Sequence, residues 1–159
     1  VGIRFGYDHD AAGIKATRRA WGLLTPIEAA TADVVTWPTG ADPAQLIQDG
    51  HGEAVRVAIY SSRPMSEALI DNILAEAELE FIDQRVQVAR TIAQLTGPLP
   101  ARYRDQAQHY LGLQMPDLDH ETLETLFSET AITEVNNSLP IEQILRGGHF
   151  QASKPEMGL

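Results

Sequence analysis

Two carboxylates separated by one residue, Asp8 and Asp10, stand near the start of the chain in the stretch YDHDAAG, residues 7–13. They follow a run with the composition of a β-strand, and a helical pattern begins directly after them. Because side chains alternate along a strand, the two carboxylates are expected close together at its carboxyl end. Open α/β sheets bind their ligands at that edge, so the pair is a candidate site.

A third carboxylate, Asp42, follows the second predicted strand in the turn PTGADP, residues 38–43. Oxygen ligands at this edge suit a hard cation such as Mg²⁺, which commonly binds one or two carboxylates together with phosphate oxygens. Taken singly, Asp10 and Asp42 are also good helix N-caps, and capping is the commoner role of an aspartate before a helix. His9 is expected to be an exposed neighbour of the acids rather than a ligand or a base.

The composition restricts the class of protein. With 159 residues, 43% of them hydrophobic, the chain can form one ordinary globular core or a compact unit with an appendage. Its formal net charge of −10 means that any contact with nucleic acid should be local or metal-mediated. The absence of Cys excludes disulfides, thiolate zinc sites and cysteine nucleophiles. No apolar run approaches the ~20 residues of a membrane span, and we expect a cytoplasmic protein without membrane contact.

The acids must be positioned by a strand at 2–7, a helix at 11–24, connecting material at 25–32, a strand at 33–37 and a short helix at 43–48. A strand, a helix and a strand at this spacing predict a βαβ unit with parallel strands. Two strands are too few for a stable open sheet. We therefore expect further strands from a second copy or from a preceding part of a longer protein, in agreement with the lack of an initiator Met.

From Gly52 onward, every pattern in the sequence is helical. The predicted helices lie at 53–60, at 66–79, from 82 to the stop at Gly97-Pro98, at 101–113 and after Asp119. The predicted fold class is therefore α/β followed by all-α, in which a small βαβ unit precedes an appended helical bundle. The predicted domains are an α/β domain at 1–60, a helical subdomain at 61–130 and a linker or flexible tail at 131–159.

The segments around the three acids resemble the second, carboxyl-terminal half of a TOPRIM domain. The matching residues are YDHDAAG at 7–13, then Ala16 and Arg19-Ala20, then WPTGADP at 37–43 and Leu46. They are similar to the version found in DnaG-type bacterial primases, and equally to primase-like TOPRIM segments in relaxase and mobilisation proteins of conjugative plasmids. Weaker similarity continues at 63–74 and, in the helical subdomain of the primase core, at 99–113. The resemblance covers about residues 1–128, with strong motifs only in 1–46.

In this family the acids bind a divalent metal that engages phosphate during nucleotidyl transfer or phosphodiester chemistry. The resemblance therefore implies Asp8, Asp10 and Asp42 as ligands of Mg²⁺ or Mn²⁺. The family's first motif, a Glu after a preceding strand, has no counterpart here, and Ala44 stands where primases often carry a further Asp. We therefore expect weak metal binding and no catalysis by this chain alone, and we assign no catalytic residue.

Three basic residues, Lys15, Arg18 and Arg19, cluster on one face of the first predicted helix because their spacings are three and four residues. Contact with nucleic acid or a nucleotide phosphate is one interpretation of this cluster. A solvated helix face is the other, and the sequence leaves both open.

The resemblance implies a DNA-processing protein of replication or conjugation, either a primase or a plasmid relaxase, that handles phosphate through Mg²⁺. Its partners would be nucleic acid, bound through the full-length protein, and a helicase, relaxosome or secretion coupling protein. The alternative is a non-catalytic protein-docking module of a conjugative relaxase with a degenerate TOPRIM site. An unrelated α/β fragment is a third interpretation, which a structure with Asp8 and Asp42 on opposite faces would favour.

Overall fold

Eight helices and three short strands make up the part of the chain that the computed structural model describes, residues 2–7, 10–37 and 42–132. In chain order they are β1 (Arg4–Gly6), α1 (Ala11–Trp21), α2 (Pro26–Thr31), β2 (Asp33–Val35), α3 (Pro43–Gln48), α4 (Gly52–Tyr60), β3 (Arg63–Pro64), α5 (Met65–Glu76), α6 (Ile82–Thr96), α7 (Ala101–Gln114) and α8 (His120–Ile132). None of the helices in these ranges is both long and apolar enough to cross a membrane.

The strands form one small sheet in the order β1-β2-β3. β1 and β2 are parallel, with Phe5 opposite Val34, and two helices lie between them in the chain. β3 is antiparallel to β2, with Arg63 opposite Val34. The expectation of helical patterns alone after Gly52 is wrong at Arg63–Pro64, because a two-residue strand is too short to show an alternating pattern.

Residues 26–31 form α2, which corrects the expectation of connecting material there. The Thr25 hydroxyl accepts a hydrogen bond from the Glu28 backbone N–H at 3.3 Å, and the Glu28 carboxylate accepts one from the Thr25 backbone N–H at 2.9 Å. This reciprocal pair is a capping box, and Pro26 suits the first helical position. The bond from the Thr25 backbone is the main reason that the pKa of Glu28 is lowered. The Thr-x-x-Glu spacing was the available sequence signal.

Helices α5 to α8 agree with the predicted helical segments within a few residues at their ends. Asp119 caps α8 as expected, since its carboxylate accepts the Thr122 backbone N–H at 2.7 Å, and this bond lowers the pKa of Asp119. Leu123 and Phe127 are on the buried side of α8, where they are 3% and 2% exposed. Residues 133–159, most of the predicted tail, lie outside the described part of the chain.

One hydrophobic core joins the sheet to the helices that follow residue 60. Its centre is α5, where Met65, Leu69 and Ile70 are fully buried, and α5 contacts α1, α2, α6 and α7. Trp21 of α1 reaches α6, where its indole N–H donates to the carbonyl of Leu95 at 3.3 Å. The predicted boundary at residue 60 therefore falls just before the two elements, β3 and α5, that carry most of the packing between the two parts.

Candidate functional site

Asp10 stands after β1 as the N-cap of α1. Its Oδ1 accepts a hydrogen bond from the Gly13 backbone N–H at 2.8 Å, which satisfies one of the free donors at the start of the helix. The side chain is exposed, and its Oδ2 makes no hydrogen bond or ion pair with a described residue. The capping role expected from the sequence is confirmed, and the second oxygen is available to a ligand.

Asp42 plays the same part after β2, as the N-cap of α3. Its Oδ1 accepts a hydrogen bond from the Ala44 backbone N–H at 2.8 Å, and Pro43 occupies the first helical position. Asp42 is also exposed. Because β1 and β2 are adjacent and parallel, the segments that carry Asp10 and Asp42 leave the sheet at the same edge.

The third predicted ligand, Asp8, lies outside the described residues together with His9. Within residues 2–7, 10–37 and 42–132, no group of three or more His, Asp or Glu side chains is placed to hold a metal ion. The set of three carboxylates, and the relative placement of Asp8 and Asp42, therefore stay predictions.

Arg18 is bound to α5 rather than pointing freely to solvent. Its guanidinium donates to the Glu76 carboxylate and to the Asn72 carbonyl, both at 2.8 Å, and its side chain is only 17% exposed. Lys15 and Arg19 are exposed and make no hydrogen bond or ion pair with a described residue. Of the three predicted phosphate contacts, these two are available on the α1 surface, and their role stays a prediction.

A polar network that joins β3, α5 and α7 was not expected from the sequence. The Arg63 guanidinium lies 2.6 Å from one oxygen of Asp71, and the Tyr110 hydroxyl donates to the other oxygen at 2.9 Å. Burial and the bond to Asp71 raise the pKa of Tyr110. Burial acts to lower the pKa of Arg63, but the hydrogen bond and charge of Asp71 outweigh it and raise this pKa. The network fixes β3, α5 and α7 relative to one another.

Next to this network is a cleft of about 800 Å³, lined by the starts of β1 and β2, by the first turn of α5 and by α7. Glu67, Tyr103 and Tyr110 line it. Burial is the main reason that the pKa of Glu67 is raised, and the charge of Asp71 adds to the effect while that of Arg63 opposes it. The seven-residue spacing of Tyr103 and Tyr110, which puts both on one face of α7, was the available signal in the sequence.

The chain is similar in sequence and in fold to bacterial DNA primases. It is 27% identical to a DNA primase of Salmonella typhimurium over 137 residues, which are 84% of this chain and 24% of that protein. A solved catalytic core of the Escherichia coli primase has a TM-score of 0.60 at 24% identity, covering 74% of this chain and 39% of the solved one. The RNA polymerase domain of the Mycobacterium tuberculosis primase DnaG, solved with a DNA oligomer, has a TM-score of 0.52 at 25% identity, covering 70% and 35%.

The chain resembles part of a primase catalytic core. The predicted resemblance to DnaG-type primases is thereby supported along most of the chain, and the mostly helical architecture around a small sheet is shared with the primase core. The chain spans about a quarter of the length of the curated primase that it matches. No protein-family model matches it.

Proposed function

We propose that the chain is the carboxyl-terminal half of a TOPRIM domain together with the helical subdomain that follows it, within a primase that makes nucleic-acid primers. The observation that carries this proposal is the sequence similarity to a DNA primase over 84% of the chain. The relatives named above are all primases, which favours a primase over a plasmid relaxase as the parent protein.

In this proposal, Asp8, Asp10 and Asp42 hold Mg²⁺ or Mn²⁺. Carboxylate oxygens are the donors that these hard cations prefer, and among the described residues Asp10 and Asp42 each bond a helix N-terminus through one oxygen. Capping and metal binding are therefore compatible in the same side chain. When bound, such a metal supplies charge stabilisation to phosphate oxygens during nucleotidyl transfer or phosphodiester chemistry.

The chain's own contribution is to fix the carboxylates and to attract phosphate locally. The parallel pairing of β1 and β2 supports this, because the two strands that precede Asp10 and Asp42 end at the same edge of the sheet. Lys15 and Arg19, on the same helix that Asp10 caps, provide positive charge on a chain whose net charge is −10. The M. tuberculosis primase domain was solved with DNA, and we propose that the parent of this chain binds nucleic acid as well. A helicase or other replication protein as a further partner stays a prediction.

The metal site is tested by titrating the chain with Mn²⁺ and following the loss of the free-ion signal by electron paramagnetic resonance. We expect weak, saturable binding that is reduced in Asp8→Asn, Asp10→Asn and Asp42→Asn. Asparagine is as good an N-cap as aspartate, so these variants remove a charge and a metal ligand while they keep the helix starts. Asp105→Asn, at an exposed position on α7, is the matched control and should bind like the wild type.

Two outcomes would contradict the metal site. One is the absence of saturable binding at millimolar Mn²⁺. The other is equal binding by the wild type and the three ligand variants, which would mean that the acids serve only as helix caps or surface charge. Thermal unfolding of each variant, measured without metal, separates a loss of ligand from a loss of fold.

A further inference from the structure

The cleft beside α7 lies at the end of β1 and β2 that is opposite to the end followed by Asp10 and Asp42. It is lined by Arg4 at the start of β1, by Asp33 at the start of β2 and by Pro64 at the end of the antiparallel β3. Asp10 and Asp42 follow the opposite, carboxyl ends of β1 and β2. A ligand in this cleft would therefore occupy a second site that is independent of the proposed metal site.

The charges around the cleft are mostly paired, with one exception. Arg4 lies 3.8 Å from Asp33, which also accepts a hydrogen bond from the Ser62 hydroxyl at 3.2 Å. Glu67, on the first turn of α5, makes no hydrogen bond or ion pair with a described residue. Of the two carboxylates that line the cleft in the described part of the chain, Glu67 is thus the one without a hydrogen bond or ion pair; its burial raises its pKa, and the charge of Arg63 offsets only part of that rise. A cation placed beside Glu67 would offset the cost of burying that charge.

Helix α7, which packs beside α5, contributes aromatic rings to the lining of the cleft. Tyr103 and Tyr110 are one heptad apart on α7, and the bond to Asp71 holds the Tyr110 hydroxyl in place. The guanidinium of Arg102 already lies 5.9 Å from the centre of the Tyr103 ring, at the distance of a cation–π contact. Aromatic faces together with an unpaired carboxylate form the combination that recognises a guanidinium or an ammonium group.

We propose that this cleft binds an arginine or lysine side chain of a basic polypeptide segment, with Glu67 pairing with the charge and the two tyrosines contacting the side chain. A net charge of −10 favours the approach of a basic partner and disfavours that of a polyanion. The volume of about 800 Å³ lies within the range of pockets that hold a compact ligand.

The probe is a fluorescein-labelled peptide that carries two arginines between glycine and serine residues, and its neutral match carries citrulline in place of arginine. Fluorescence anisotropy should show saturable binding of the arginine peptide and none of the citrulline peptide.

Glu67→Gln should weaken this binding about tenfold, the effect of losing one charge-assisted hydrogen bond. Glu124→Gln, exposed on α8, removes the same charge elsewhere and should leave binding unchanged. Tyr103→Leu, which removes an aromatic face, should weaken binding several-fold.

Three results would overturn the proposal. Equal weakening by Glu67→Gln and Glu124→Gln would show only general attraction to an acidic surface. Absence of saturation with the arginine peptide would show that the cleft takes no basic segment. Binding of a labelled single-stranded oligonucleotide that becomes tighter in Glu67→Gln would assign the cleft to nucleic acid, because removing a carboxylate favours an anion. Unchanged thermal unfolding of the variants shows that the fold is intact, and none of these outcomes depends on whether the metal site exists.

Discussion

At the scale of single residues, Asp10 illustrates how one carboxylate can serve both folding and function. Its Oδ1 satisfies a backbone donor of α1, while Oδ2 makes no hydrogen bond to a described residue. A side chain fixed by a cap hydrogen bond loses less freedom when it binds a ligand than a mobile one does. The helix cap would thus preorganise the carboxylate for the proposed metal, and the two interpretations of the sequence do not exclude each other.

The capping role predicts a difference between two substitutions of Asp10. Asp10→Ala should lower the free energy of unfolding by about 1 kcal/mol, because the Gly13 backbone N–H loses its acceptor. Asp10→Asn should lower it by a few tenths at most, because an amide oxygen caps equally well. Urea denaturation of both variants measures the difference. If Asp10→Asn lowered the free energy of unfolding as much as Asp10→Ala, the negative charge rather than the cap hydrogen bond would stabilise this position.

The sequence did not predict contacts between residues that are distant from each other in the chain. The aspartate caps Asp10, Asp42 and Asp119 could be predicted, because a cap and its helix are neighbours in the chain. The network of Arg63, Asp71 and Tyr110 could not, since it brings together three elements that only the tertiary fold places in contact. The same holds for Arg18, whose partners Asn72 and Glu76 come from α5. A helical wheel shows the basic face of α1 but cannot show that α5 packs beside it.

At the scale of elements, periodicity predicted the long helices, whereas α2 and β3 were missed. α5 to α8 each contain three or more turns, enough for apolar residues to recur on one face. α2 has six residues and β3 has two, and each is held by other interactions, the capping box in α2 and the pairing with β2 in β3. A few specific hydrogen bonds also attach one element to another. Those of Arg18, which join α1 to α5, are the clearest example.

Arg18→Met should loosen the attachment of α1 to α5. We expect a loss of about 1–2 kcal/mol in the free energy of unfolding, mainly because the Asn72 carbonyl loses a charged donor. The ion pair with Glu76 contributes less, because the Glu76 side chain is 56% exposed. Arg19→Met is the matched control on the same helix and should change the stability by less than about 0.5 kcal/mol. Equal effects in chemical denaturation would mean that Arg18 does not bind α1 to α5.

At the scale of the whole molecule, the core connects the two predicted domains. Residues from α1, α2 and β2 belong to the same hydrophobic cluster as residues from α5 to α8. The predicted division at residue 60 rests on the sequence pattern, since β-type runs occur only before it and only helical runs follow it. A change of pattern does not by itself mark a change of folding unit. The parts that pack together in one core should also unfold together.

Unfolding should therefore be a single cooperative transition. The two tryptophans, Trp21 and Trp37, lie in the first part of the chain, whereas most of the helix content lies after residue 60. Tryptophan fluorescence thus reports on the first part and on the contact of Trp21 with α6, whereas far-UV circular dichroism reports mainly on the helices after residue 60, and the two denaturation curves should coincide. Leu69→Ala should shift both curves together by about 3 kcal/mol, because Leu69 is fully buried in α5. Leu23→Ala, the same change at a side chain that is 80% exposed, should shift neither by more than about 0.5 kcal/mol. Two separate transitions, or a Leu69→Ala shift confined to the dichroism curve, would show that residue 60 divides two independent folding units.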